Sequence, residues 1–126
     1  MSYLNEVKWD NNGLVPAVSQ DCTSGKVLTL AWMNEDALKA TIDEGRVVYW
    51  SRSRKSLWRK GEQSGFIQKL RELRLDCDGD SILLIVEQIE SIACHTGRAT
   101  CFYKLYQDSS WLVTEPVIKD SADIYS

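Results

Sequence analysis

Asp76-Cys77-Asp78-Gly79-Asp80-Ser81-Ile82-Leu83-Leu84-Ile85-Val86-Glu87-Gln88-Ile89 contains the longest unbroken apolar run in the chain. Such a run, opened by Asp-Gly turn chemistry, predicts a strand over 81–89 buried on both faces. Immediately upstream, 66–75 is ambiguous: Leu70 and Leu73 suit a helix, Leu73 and Leu75 suit alternation. It reads as a strand because it leads straight into the aspartates and the next strand. Further upstream, 14–18 predicts a short strand, at a sheet edge because of Pro16. Residues 26–32 predict a buried strand and 46–51 another. Between them, 34–44 is the clearest helix. Asn34 can cap it, Glu35 and Asp36 charge its first turn, Ala37, Leu38, Thr41 and Ile42 recur at helical spacing, and Gly45 suits the stop. Downstream, 94–100 reads as a loop and 101–106 as a strand; the tail from Gln107 holds Trp111, Leu112 and Val113 and then becomes polar and frays; residues 1–13 read as irregular. The expected fold class is α+β, mainly β: a compact strand-rich subunit with one clear helix.

At 126 residues, 44% hydrophobic and 26% charged, the chain predicts one domain, 1–126, with its core over about 14–106. A net charge of −3 provides no global field for nucleic acid or an anionic membrane. No apolar run approaches the length of a membrane span, and the N-terminus shows no charged-then-apolar signal pattern, so the expected location is cytoplasmic. Four cysteines in that setting are thiols rather than a disulfide framework.

Three of those cysteines, the single histidine and three aspartates spaced by two fall between Asp76 and Cys101. If 76–80 is extended, Asp76, Asp78 and Asp80 share a face and Cys77 takes the other. Three carboxylates repel unless a cation neutralises them, and an all-oxygen set suits Mg²⁺; a solvated acidic turn is the competing reading. A calcium loop fails, because its sixth position is Ser81 and Gly79 falls two places early. Cys77, Cys94 and Cys101 are soft ligands suited to Zn²⁺, with six residues between the last two. Three protein ligands leave the open position of a catalytic zinc. The alternative, a small buried hydrophobe, suits Cys22 better than Cys94, whose neighbours are polar or flexible. His95, beside a candidate ligand, is a candidate acid/base or fourth ligand. The segment 50–61 interleaves Arg52, Arg54, Lys55, Arg59 and Lys60 with Trp50, Ser51, Ser53 and Trp58. It suits phosphate binding with base stacking, or else a solvated face.

Taken together, Val27-Leu28-Thr29-Leu30-Ala31-Trp32-Met33-Asn34, Tyr49-Trp50-Ser51-Arg52-Ser53-Arg54, Trp58-Arg59-Lys60-Gly61-Glu62-Gln63-Ser64-Gly65, Asp76-Cys77-Asp78-Gly79-Asp80 and Cys94-His95-Thr96-Gly97-Arg98 resemble the phosphoribosyl-AMP cyclohydrolase family, in order, over about 14–106. The resemblance implies a Zn²⁺- and Mg²⁺-dependent hydrolase of histidine biosynthesis that opens the purine ring of phosphoribosyl-AMP at N1–C6 with a zinc-activated water. It implies an intertwined homodimer, with magnesium on Asp76, Asp78 and Asp80, and zinc on Cys77 together with Cys94 and Cys101 of the partner chain. His95 is then expected to shuttle a proton. Trp50, Ser51, Arg52, Ser53, Arg54, Trp58 and Lys60 are expected to bind substrate. Ala99 and Thr100 depart from a more basic or serine-like loop without touching a ligand position. The phosphoribosyl-ATP pyrophosphohydrolase domain that follows in many relatives is expected to be absent. A second reading is a non-enzymatic zinc module gripping RNA or protein through 50–61. Three thiols and three carboxylates in one stretch favour the enzyme, with a small-molecule substrate and neither nucleic acid nor membrane as partner.

Overall fold

The structure, a computed structural model, describes residues 3–124; the first two residues of the irregular N-terminus and the last two of the tail lie outside them. A four-stranded sheet forms the centre, in the order β2 (Val27–Met33), β1 (Val15–Asp21), β6 (Ile82–Gln88), β5 (Gln68–Leu75). β1 runs antiparallel to β2 and parallel to β6, and β6 runs antiparallel to β5. Two hairpins lie outside the sheet: β3 (Val48–Ser51) with β4 (Ser56–Arg59), and β7 (Lys104–Gln107) with β8 (Ser110–Val113). Short 3₁₀ turns occupy Tyr3–Glu6 and Ile89–Ser91. This is the expected mainly β, α+β subunit.

Helix α1 (Glu35–Glu44) forms as the caps predict. Asn34 Oδ1 accepts the Ala37 N–H at 2.8 Å, and Gly45, at φ 69°, donates to Thr41 O. Ala37, Leu38 and Thr41 are buried, while Ile42 faces outward, 39% exposed. The Thr41 hydroxyl accepts from Val48 N–H at 2.9 Å and donates back to Ala37 O, which ties α1 to β3. A second helical turn, α2 (Ser121–Ile124), stands near the chain end.

The core lies on one face of the sheet. Val15, Ala17, Met33, Leu84 and Val86 pack against Ala37 and Leu38 of α1 and against Val47 and Tyr49. Burial of β6 alternates: Ile82, Leu84, Val86 and Gln88 are buried, Leu83 and Ile85 half-buried. The expected double burial therefore fails on one side, because no element of the described chain covers the outer face. β2 shows the same asymmetry, with Leu30 50% exposed.

Other expectations need correction. Pro16 lies in an inner strand, not an edge one. It precedes by one residue the ladder with β6, which begins at Ala17, so its missing N–H costs no bond there. Residues 56–59, read only as a basic aromatic segment, form β4, because Ser51↔Ser56 closes a four-residue loop in which Lys55 takes φ 53°. The strand expected from Cys101 begins only at Lys104, since the Cys101 N–H goes to Leu28 O of β2 at 2.7 Å. Nor does the polar part of the described tail fray: after β8, which takes up Trp111, Leu112 and Val113, the N–H groups of Ile118 and Lys119 both bond Gly97 O.

Candidate active site

The aspartates are gathered by a turn rather than by strand alternation. β5 ends at Leu75. The chain then reverses through Asp76-Cys77-Asp78-Gly79, closed by Gly79 N–H to Asp76 O at 3.1 Å with Gly79 at φ 78°. Asp76 Oδ1 accepts the N–H groups of Asp80, at 2.8 Å, and Ser81. One oxygen from each of Asp76, Asp78 and Asp80 falls within 4.8 Å of the others, and all three residues are exposed. Slight burial pushes the Asp76 carboxyl upward, but hydrogen bonds from Asp80 and Ser81 prevail and hold it below the usual carboxylate range. Asp80 is raised, first by its side-chain hydrogen bond to Asp76 and then by that to Asp78. The trio thus concentrates three acidic side chains in one exposed turn. Its all-oxygen donor set fits a hard divalent cation such as magnesium. Lys8 N–H bonds Gly79 O at 2.7 Å, pinning the N-terminal segment to the turn.

Cys77 lies in the same turn, exposed. Cys94 and Cys101 belong to a different place. Arg98 O accepts both Ala93 and Cys94 N–H, and Gly97 N–H returns to Cys94 O at 2.9 Å, folding 93–98 into a tight loop. Cys94 is 5% exposed, and its sulfur accepts the Thr96 hydroxyl at 3.0 Å. Cys101 is half-buried beside it. Burial and the neighbouring Cys94 push the Cys101 thiol up to about 11, while Lys60 and the Thr29 hydroxyl pull it back. Two adjacent thiols near an ammonium form a soft donor set that fits zinc. Among the described residues, no trio of metal-ligating side chains within one chain includes a cysteine.

Cys101, His95, Lys60, Trp58 and Arg54 line one cavity of about 430 Å³, beneath the β3–β4 hairpin. Lys60 is buried, its Nζ donates to Ala93 O, and it lies 5.2 Å from the Trp58 ring centre. Burial lowers its pKa, and the neighbouring Cys101 and Cys94 oppose that. Trp58 stacks at a tilt on Tyr49, 5.5 Å between centroids. His95 is exposed at the cavity wall. Arg54 is held by Ser51, whose hydroxyl accepts from its backbone N–H and its Nε.

Leu57 and Gly61 line this cavity too, whereas Trp50, Ser51, Arg52, Ser53, Lys55 and Arg59 are not among its lining residues. Ser53 sits 3.4 Å from Ser51 in the hairpin loop, Arg52 lies over the Trp32 ring at 4.7 Å, and Trp50 packs on the core. Arg59 is committed to Glu44 through two nitrogens. The run is therefore no uniform cationic face. The aspartate turn borders another groove, of about 420 Å³, where Asp76 meets Val18 and Leu83 of the outer sheet face. Sequence reasoning passed over Thr29, Gln63 and Ser64, which also line the first cavity. Thr29 looks like any strand residue; the paired glycines Gly61 and Gly65 were the available signal for the loop.

The family model described as phosphoribosyl-AMP cyclohydrolase matches residues 29–103. Phosphoribosyl-AMP cyclohydrolase 1 of Pseudomonas fluorescens Pf-5 is 60% identical over 98% of this chain and 95% of its own length. The Pseudomonas putida GB-1 enzyme is 58% identical with the same coverage. That of Stutzerimonas stutzeri A1501 is 57% identical over all of this chain and 96% of its own. Similarity of this degree over nearly the whole length means that the chain belongs to the phosphoribosyl-AMP cyclohydrolase family, a family of hydrolases.

Proposed function

We propose that this chain hydrolyses the purine ring of phosphoribosyl-AMP between N1 and C6, in histidine biosynthesis, as a homodimer. The observation that carries the reading is the single cavity shared by His95, Cys101, Lys60, Trp58 and Arg54. An imidazole, a thiol, an aromatic face and two cations around one volume support that chemistry.

The ribosyl group on N1 makes C6 electrophilic. The oxygen of the attacking water becomes the amide oxygen on C6 as the N1–C6 bond breaks. One proton ends on the former exocyclic nitrogen and one on N1, so atoms balance without a further reactant. When bound, zinc supplies a water acidified towards neutrality, and magnesium on the aspartates supplies a hard positive charge for a substrate phosphate or ribose hydroxyl. His95, exposed at the wall, moves a proton to or from the departing nitrogen. Trp58 offers its ring to the purine, and Arg54 its guanidinium to a phosphate.

Two features support a second copy. Cys77 stands in the aspartate turn while Cys94 and Cys101 stand together in the other loop, so a three-thiol site is completed by Cys77 of the partner subunit. All eight residues of β7 and β8 are exposed, including Leu105, Tyr106, Trp111, Leu112 and Val113. A lone two-stranded hairpin with such side chains is stable only when another surface covers it.

The test is turnover of phosphoribosyl-AMP, followed by absorbance, with metal content measured after gel filtration. Turnover by a zinc-containing dimer is expected. Zinc retained with no turnover at any magnesium concentration would sink the reading.

A further inference from the structure

Residues 114–120 form no regular secondary structure, and all of them but Glu115 are exposed. A segment with so little buried surface near a chain end ordinarily frays. This one is tied instead to the loop that carries Cys94 and His95. The N–H groups of Ile118 and Lys119 donate to Gly97 O at 2.8 and 3.3 Å. Arg98 Nε donates to Glu115 O at 2.9 Å. The Arg98 guanidinium also lies over the Tyr103 ring at 4.2 Å, and Thr114 N–H donates to Tyr103 O at 2.8 Å. The Glu115 carboxylate pairs with Lys26, just before β2.

Gly97 is shaped for this approach. It sits at φ 85°, and a Cβ there would run into Lys119 O and come within 3.3 Å of Val117 Cγ1. The segment therefore lies directly on the backbone of the loop. Gly97 N–H in turn bonds Cys94 O, and Arg98 O accepts the N–H groups of Ala93 and Cys94. At the other end of the loop, buried Lys60 donates to Ala93 O. His95 stands between these two anchors, at the cavity wall.

We propose that 114–119 is a positioning strap of the active site: by binding Gly97 O and gripping the Arg98 side chain, it fixes the 94–98 loop and so sets where the His95 ring stands in the cavity. The proposal rests on reading His95 as the proton carrier. A displacement of about 1 Å in a reacting group can cost roughly 100-fold in rate, so an exposed segment with no group of its own in the cavity can govern turnover.

The experiment combines amide exchange, read residue by residue by NMR, with steady-state turnover of phosphoribosyl-AMP by full-length variants. Ile118→Pro and Lys119→Pro each delete one N–H that Gly97 O accepts. Ser121→Pro is the control: it is the first residue of α2, where proline is tolerated, and its N–H bonds nothing in the loop. In the two strap variants the amides of Ala93, Cys94 and Gly97 should exchange roughly 5- to 10-fold faster, the loss of one hydrogen bond, while amides of β1 and β6 keep wild-type rates. In the same variants kcat should fall about 10-fold, with KM and zinc content close to wild type, because the proton moves only in the reaction step. If one strap variant does not fold, the other decides. Wild-type exchange at the three loop amides, wild-type kcat with those amides loosened, or an equal effect of Ser121→Pro overturns the proposal. Zinc loss that accompanies the fall in kcat overturns it too, by assigning the effect to Cys94. A wild type that turns over no phosphoribosyl-AMP would defeat the proposed function instead, and the exchange rates would still judge the strap.

Discussion

The turn at 76–80 and the loop at 93–101 both present metal-ligating side chains, and they are built on opposite principles. In the turn, the three aspartates are exposed and packed within 4.8 Å, held by Gly79 N–H and by the carboxylate of Asp76 itself. Without a cation, three carboxylates this close repel one another. In the loop, Cys94 is buried and Cys101 half-buried, and the support comes from distant segments: β2 through Leu28, β4 through the residue after it, Lys60, and the tail through Ile118 and Lys119. The hard site is concentrated charge in solvent; the soft site is preorganised by burial. The first should respond to added ions, the second to loss of its supports.

The largest expected effect separates chemistry from ligation within the loop. His95→Ala should lower kcat by roughly 100- to 10,000-fold, the range for a general acid or base, while zinc content stays at wild type. A variant that loses its zinc makes His95 a ligand and removes the proton-transfer role. Next comes a test that joins the two regions. Cys77→Ala and Cys94→Ala should each be inactive, and co-refolded subunits should recover about a quarter of wild-type activity, one intact site in half the dimers. No recovery on mixing argues that each site lies within one chain. A smaller effect concerns the turn alone. Magnesium should raise the melting temperature of the wild type by a few degrees through binding to the folded state, and that rise should vanish in Asp78→Asn with zinc affinity unchanged. An equal rise in the variant places magnesium elsewhere. The smallest is a control: Asn34→Ala should cost about 1 kcal/mol of stability in chemical denaturation. A change in either metal affinity would show that α1 supports a site.

What was legible in the sequence followed from local signals. The caps at Asn34 and Gly45 and the apolar run of β6 are short-range features, and both elements formed. β4 escaped because Ser56-Leu57-Trp58-Arg59 becomes a strand only through pairing with β3. The edge placement of Pro16 failed because the parallel partner of β1 lies far along the chain. The aspartates were rightly seen as one cluster, but for the wrong geometric reason: an extended segment would face them one way by alternation, whereas the Asp-Gly turn gathers them by reversal. Thr29 was invisible as a site residue, since its neighbours Gln68 and Cys101 come from the fold, not from nearby sequence.

The parallel pairing of β1 with β6, Val18 beside Leu83, has a kinetic consequence. A contact spanning about 65 residues closes a long loop, and such closures cost entropy before any burial rewards them. During synthesis, the β1–β2 hairpin and α1 can form early, leaving one side of β1 an unpaired edge until β6 emerges. Folding should therefore be slow for a chain of this size, with the aspartate turn among the last parts to be fixed. A stalled nascent chain ending before β6 would expose the Val15–Asp21 edge to aggregation.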